Sequence, residues 1–534
     1  MKKFFKYCLL LAIPAVMSTS CSEDFLDRAP GDALSPATFW KTEADADLAL
    51  TACYRQMASI YRAESMWYWD CTSDNAYNFH THEGYRCIAN GSMAASNSGV
   101  SYFSFLDIRT YNEYLQMENT VEFSSEAKRE QYRAEVRMLR AMSYFWKVLC
   151  YGDFPFTDQV FTSLEESKIE KTPKATIVEF IKTELNACIN ALPETAAAGR
   201  ITRGAAQAFL MRVNLLTGDY AGAESMANTI ISDGKYSMPD LSYEESFLKA
   251  NQYNSEVIFT TEHVKPGYSM WFGAYMSNGY GGWSSIVPTK DLADAYETKN
   301  GLTTDEDPTF DPENPYVNRD PRLKATILYP GQAYGIYADK GFGSLVKGDV
   351  DHGLTANNAT HTGFNFKKFY SDLSEYDDYW DAARNFPVLR YAEVLLTYAE
   401  AKIEQGKVDA SVYDAINQVR TRAGMPNVDE AKYNTADKLR ELVRRERRVE
   451  FAYEGMRRWD IIRWGIAKDV LNQPLLRVEG ELLTTKNAEG DFDIKVTGTA
   501  VEENRSFTTG KNELLPIPQS ILDANPQITQ NPGY

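Results

Sequence analysis

Positive charge is scarce in this chain. Its 534 residues hold 56 Lys and Arg against 74 Asp and Glu, a formal net charge of -18. A phosphate backbone needs a basic surface, so nucleic acid is excluded as a partner. Histidine is rarer still. His80, His82, His263, His352 and His361 are all there is, and none belongs to an HExxH. GxSxG and phosphate-loop patterns are also missing. His80 and His82, two apart in a polar stretch, read as solvated side chains rather than ligands. The sequence has no CxxC and no His–Cys cluster, so no metal site is expected. The acidic run 305–315 lacks the spacing of an EF-hand loop and reads as solvated. Long apolar runs are lacking too. Cys8–Val16 is the nearest approach, and it is too short to span a bilayer. The enzyme class that survives these absences is a glycosidase, which needs only two suitably separated carboxylates.

That apolar run follows Lys2, Lys3 and Lys6 and precedes Ser18, Thr19, Ser20 and Cys21. Residues 1–20 therefore read as a signal peptide. Cys21 reads as the lipidated first residue of a bacterial lipoprotein, although Ser18 stands where the usual lipobox has Leu. An ordinary cleaved signal is the alternative. Cys53, Cys71, Cys87, Cys150 and Cys188 remain in the mature chain. An odd number leaves at least one free thiol, and Cys71 and Cys87 flank one polar loop across which they could pair.

Helical periodicity dominates the rest. Ala46, Leu50, Cys53, Met57 and Ile60 make one apolar stripe over 41–62, with Thr42 and Asp45 spaced as a capping box. Val136, Leu139, Met142, Trp146 and Leu149 make another over 133–156, ended by Gly152-Asp153 and Pro155. Residues 204–231 read as two helices joined at Gly218-Asp219, and 390–426 as a second such hairpin. Both resemble tetratricopeptide units. The expected fold is mainly α: a helical scaffold over about 41–240 and 386–470, an irregular insertion over about 241–385, and a C-terminal segment, 471–534.

The densest stretch is RRERRVEFAYEGMRRWDIIRW, residues 444–464, with seven Arg, no Lys, and Glu446, Glu450 and Glu454 spaced by four. On one helix those Glu form a ridge that Arg447 and Arg458 reach. Two Trp and two Ile in the stretch point to charged faces packed inside a larger helical body.

This stretch closely resembles a signature of the SusD/RagB family, the surface nutrient-binding lipoproteins of the Bacteroidota outer membrane. Further matches follow in order: the start SEDFLDRAPGDALSPATFW, Ser73-Asp74-Asn75, Ile108 with Asn112, RAEVRMLRAMSYFWKVLCYGDFPF, PTKDLADAYE, RDPRL, FPVLRYAEVLLTYAEA and the closing LLPIPQSILDANPQITQNPGY. The resemblance runs from about residue 21 to 534. Ser101 stands where family members often carry Trp. Ser22, Glu23 and Asp24 after Cys21 resemble the surface-export signals of the phylum. The resemblance implies a single domain over 21–534, no catalytic residue and no cofactor. It also implies a lipid anchor in the outer membrane, a SusC-like TonB-dependent transporter as partner, and an oligosaccharide or, as in RagB-like members, a peptide as cargo.

The residues themselves point the same way. Sugars present apolar C–H faces rimmed by hydroxyls, which suit flat rings beside Asn, Asp and Arg. Residues 268–283 supply six rings in a Gly-rich stretch without a helical stripe. Trp271, Tyr275, Tyr280 and Trp283 are the candidate platform, with Asn278 among them. Asp74, Asn75, Tyr77 and Arg86, in the polar loop after Trp69, are candidate hydroxyl partners.

Overall fold

The computed structural model describes residues 39–534. Cys21 and the leader lie outside them. The first long helix, Glu43–Tyr61, opens on the capping box: Thr42 accepts from the Asp45 amide, and Asp45 reaches back to the Thr42 backbone. Its apolar stripe is buried at Ala46, Leu50, Cys53, Met57 and Ile60. Helix Glu126–Tyr151 begins on Ser125 and stops at Gly152, whose φ of +72° a side chain would resist. From there the chain folds as an array. Glu126–Tyr151 packs on Lys174–Ala191, which packs on Arg203–Leu216, and Tyr220–Asp233 follows. Tyr391–Glu404 continues the array, packed on Tyr220–Asp233 and joined to Ala410–Arg422. Ala205, Ala206, Ala208, Ala223 and Ala227 are buried at these contacts and let the axes approach closely. Each helix buries its face against the next, the arrangement of helical repeat proteins.

Between Ser242 and Asn385 the elements are short. Two pairings fasten this region to the scaffold. Val257–Thr261 runs antiparallel to Phe386–Arg390, and Ala76–Tyr77 runs antiparallel to Val287–Pro288. The second pairing brings the polar loop after Trp69 against the central part of the chain. A long hairpin, Pro474–Lys486 with Phe492–Asn504, closes the fold. The C-terminal segment showed no sign of it in the sequence, because its alternation is broken by three register shifts. Among the described residues no helix is long and apolar enough to cross a membrane. Cys71 and Cys87 are both free thiols, and Cys87 donates to the Gly84 carbonyl instead of pairing.

The Arg-rich stretch is buried, as its Trp and Ile residues require, but it is not one helix. Ala436–Glu450 ends at Phe451, and Arg457–Arg463 begins a second helix. Tyr453, at φ +66°, and Gly455, at φ +76°, turn the chain between them. The Tyr453 amide is held by Asp70, and a side chain on Gly455 would strike the Met66 backbone. The expected ridge and its Arg partners are therefore corrected. Glu454 lies in the turn, off the first helix, and binds Arg390 and Lys368. Arg447 pairs with Asp460 and Glu400, while Arg458 donates to the Thr72 and Asn512 carbonyls. Most partners come from distant parts of the chain, so these ion pairs fasten the helices to the 70–75 turn, the 320–322 corner and the strand end at Arg390.

Candidate functional site

Large rings left in water are costly, so exposed ones direct attention. Trp271 is 57% exposed, Trp283 40% and Trp380 38%. Backbone pairing draws together the segments that carry Trp271 and Trp380. Met270 bridges Ala382, and the Gly273 amide donates to the Tyr379 carbonyl at 3.0 Å, so 270–273 runs beside 379–382. The Trp380 ring lies flat on Gly273: a Cβ there would sit 2.3 Å from the indole. Trp283 meets the same ring with centroids 5.0 Å apart and planes tilted by 55°. Gly282 allows the turn before Trp283, since a Cβ there would collide with the Met276 carbonyl oxygen at 2.2 Å. His80 Nε2 lies 3.1 Å from the Trp283 carbonyl and donates to it when that nitrogen carries the proton. Asn78 donates to the Ser285 carbonyl at 2.8 Å. The loop after Trp69 thus braces the backbone that carries the rings.

Several sequence candidates are committed elsewhere. Asp74 is 3% exposed and pairs with Arg448 at 3.0 Å and Arg457 at 2.8 Å. Burial alone would raise its carboxyl, but the two guanidiniums outweigh that and hold it well below the usual carboxylate range. Asn75 is buried and accepts from Arg448. Tyr77 is buried in the two-stranded pairing. The structure places all three in the core, because the turn that bears them is where the Arg-rich helices dock. Arg86 is bound by Glu503 at 2.6 Å and by the Phe79 carbonyl. Tyr275 packs edge-on to Trp67 and is nearly all buried. Tyr280 is half-buried, and its hydroxyl accepts from the Ile336 amide. Asn278 is half-buried and donates to the Val350 carbonyl at 2.6 Å. Of the named rings, Trp271 and Trp283 stay exposed, and Trp283 is joined by Trp380, which is absent from the sequence candidates. Its only signal there is a lone Trp in the acidic run SEYDDYWD, about a hundred residues from the ring it joins.

Two adjoining hollows lie near these rings. One, of 440 Å³, is lined by Arg62, Glu64, His263, Tyr268, Trp271 and Tyr275 among others. The second, of 510 Å³, shares Gly267 and Tyr268 with it. A larger hollow of 950 Å³, between the 238–245 segment and the 414–427 region, has no aromatic in its lining and offers no stacking surface.

Comparison with known proteins decides the family. The SusD family model matches residues 250–534. A crystal structure of a SusD-like carbohydrate binding protein from Bacteroides fragilis superposes with a TM-score of 0.80 at 32% identity, over 92% of this chain and all of that one. The chain belongs to the SusD family. SusD-like protein P2 of Formosa agariphila is 25% identical over 99% of this chain and 100% of its own length. The starch-binding protein SusD of Bacteroides thetaiotaomicron is 27% identical over 80% of this chain and 77% of its own. The SusD-family match covers the central region and the C-terminal hairpin. It therefore includes Trp271, Trp283 and Trp380, while the bracing loop at 76–80 lies before it.

Proposed function

We propose that this SusD-family protein captures an oligosaccharide at the cell surface and delivers it to a SusC-like TonB-dependent transporter. The observation that carries the reading is the set of three exposed tryptophans on neighbouring segments, Trp283 and Trp380 in contact and held by a glycine backbone and a bracing loop. Rigid exposed rings suit the apolar face of a pyranose, and His80, at the Trp283 carbonyl, and Asp378, which accepts from the Trp380 amide, suit its hydroxyls. The names of the relatives, carbohydrate binding and starch-binding, agree with it. The protein acts by binding, without catalysis. A glycan array run beside a peptide library tests this: glycan capture is expected, with the glycan recovered uncut. Selective peptide capture would instead assign the RagB-like role, and shortened products would assign a hydrolase.

Cys21 supplies the outer-membrane anchor in this proposal. Labelled palmitate fed to cells is expected to enter the wild-type protein and not Cys21→Ala. Equal labelling of both would remove the anchor.

A further inference from the structure

The 440 Å³ cleft lined by Trp271 holds polar groups with hydrogen-bonding capacity left over. Only 5% of His263 is exposed, and neither ring nitrogen makes a well-formed hydrogen bond, the Thr261 and Arg384 backbones lying close but off line. Glu64 Oε2 is also buried without one. The two face each other at 3.9 Å, too far for a hydrogen bond. Glu64 has the Arg62 charge nearby but no hydrogen bond, and buried polar atoms left without one beside a hollow call for a ligand or ordered solvent. The site is built rather than incidental. The His263 amide is fixed by Asn385 Oδ1 at 3.0 Å, and the tight Val264–Tyr268 turn lays the Tyr268 ring on the imidazole, 14° from parallel at 5.2 Å. Trp271, at the rim, is one of the exposed rings.

We infer that this cleft is a separate subsite that takes one neutral sugar ring of the captured glycan, its hydroxyls bound by Glu64, His263 and Arg62. The inference rests on the glycan-capture reading and deepens it. Charge selects the class. The Arg62 guanidinium lies 3.6 Å from the Glu64 carboxylate, so an amino sugar meets Arg62 and a uronic acid meets Glu64. A hydroxyl, by contrast, donates to Glu64 and accepts from Arg62. Burial pushes His263 down to about 4, so the ring is neutral at ordinary pH and presents one donor and one acceptor. The same burial raises the Glu64 carboxyl, in keeping with a site that avoids net charge.

The test is ring-nitrogen NMR of the histidine-labelled full chain. The probes are the methyl glycosides of glucose, galactose and mannose, with methyl glucosaminide and methyl glucuronide as charged counterparts, each up to tens of millimolar. At least one neutral glycoside is expected to shift the His263 signals, with the charged ones silent. Glu64→Ala should weaken that response roughly tenfold, the scale of one lost buried hydrogen bond, and the isosteric Glu64→Gln should weaken it less. Silence with all three neutral glycosides, a charged sugar acting as strongly, or indifference to both Glu64 variants overturns the inference. If the glycan array is positive and His263 stays silent, capture stands and this subsite falls. If the array is blank, capture itself falls.

Discussion

Glu450→Ala is expected to lower unfolding stability by about 3–5 kcal/mol, the cost of breaking buried ion pairs and leaving their charge uncompensated. Glu450 is wholly buried and meets Arg322 at 3.1 Å and Arg390 at 2.6 Å, with Arg422 closer still. The pairs link into one network. Its anions are Glu256, Glu297, Asp320, Glu446, Glu450 and Glu454, and its cations are Arg322, Lys368, Arg390, Arg420, Arg422 and Arg445. Six carboxylates balance six cations, so removing one leaves the buried network with one excess positive charge shared among Arg322, Arg390 and Arg422. Burial alone would raise the Glu450 carboxyl, but Arg422, Arg390 and Arg322 together hold it well below the usual range. Denaturant unfolding of the variant is the measurement. A loss under about 1 kcal/mol, the value of an exposed pair, would contradict the packed reading.

Asp74→Ala is expected to cost a similar amount, about 3–5 kcal/mol, and to leave glycan affinity of the folded fraction unchanged. Arg448 and Arg457 would lose their shared carboxylate, and with it the ionic part of the tie between the 70–75 turn and both Arg-rich helices. The same group makes a pH prediction. Its folded pKa lies below the unfolded value of about 3.9, so its contribution is fully present above that value and fades as pH falls through the folded one. Wild-type stability should therefore drop on acidification below about pH 4, and Asp74→Ala should drop less. Weaker glycan binding in a variant of unaltered stability would return Asp74 to the binding surface.

What the sequence made legible follows from the range of the forces involved. Helices are local. The Thr42–Asp45 box, the Gly218-Asp219 turn and the stripe from Val136 to Trp146 each lie within a few turns of chain, and the structure has them where the pattern places them. Burial of the Arg-rich stretch was legible from its Trp and Ile residues. Its partners were not, because Arg390, Arg322 and Asp74 reach it from 60 to 383 residues away. The break at Tyr453 and Gly455 was hidden as well: a positive φ at Tyr is imposed by the Asp70 contact, not by local propensity. In the site, composition marked the ring-rich 268–283 stretch but did not sort exposed Trp271 and Trp283 from buried Tyr275. Polar identity misled for Asp74 and Asn75, whose charges and amides serve a turn docked on arginines. Trp380 and His263 carry no periodic signal, and only the pairing of 270–273 with 379–382 and of the 257–261 strand with 386–390 brings them in.

The central claim is that the exposed tryptophans are a glycan platform and not packing. Calorimetric titration of the double variant Trp283→Ala/Trp380→Ala with the glycan found on the array tests it most directly, with a thermal melt of the same sample. Stacking contributes about 1 kcal/mol per ring. The double variant should therefore bind roughly thirtyfold more weakly, at about 1.4 kcal/mol per decade, with its melt unchanged. Wild-type affinity in the double variant, or a melt that collapses as for a core truncation of about 3–5 kcal/mol per ring, would contradict the account.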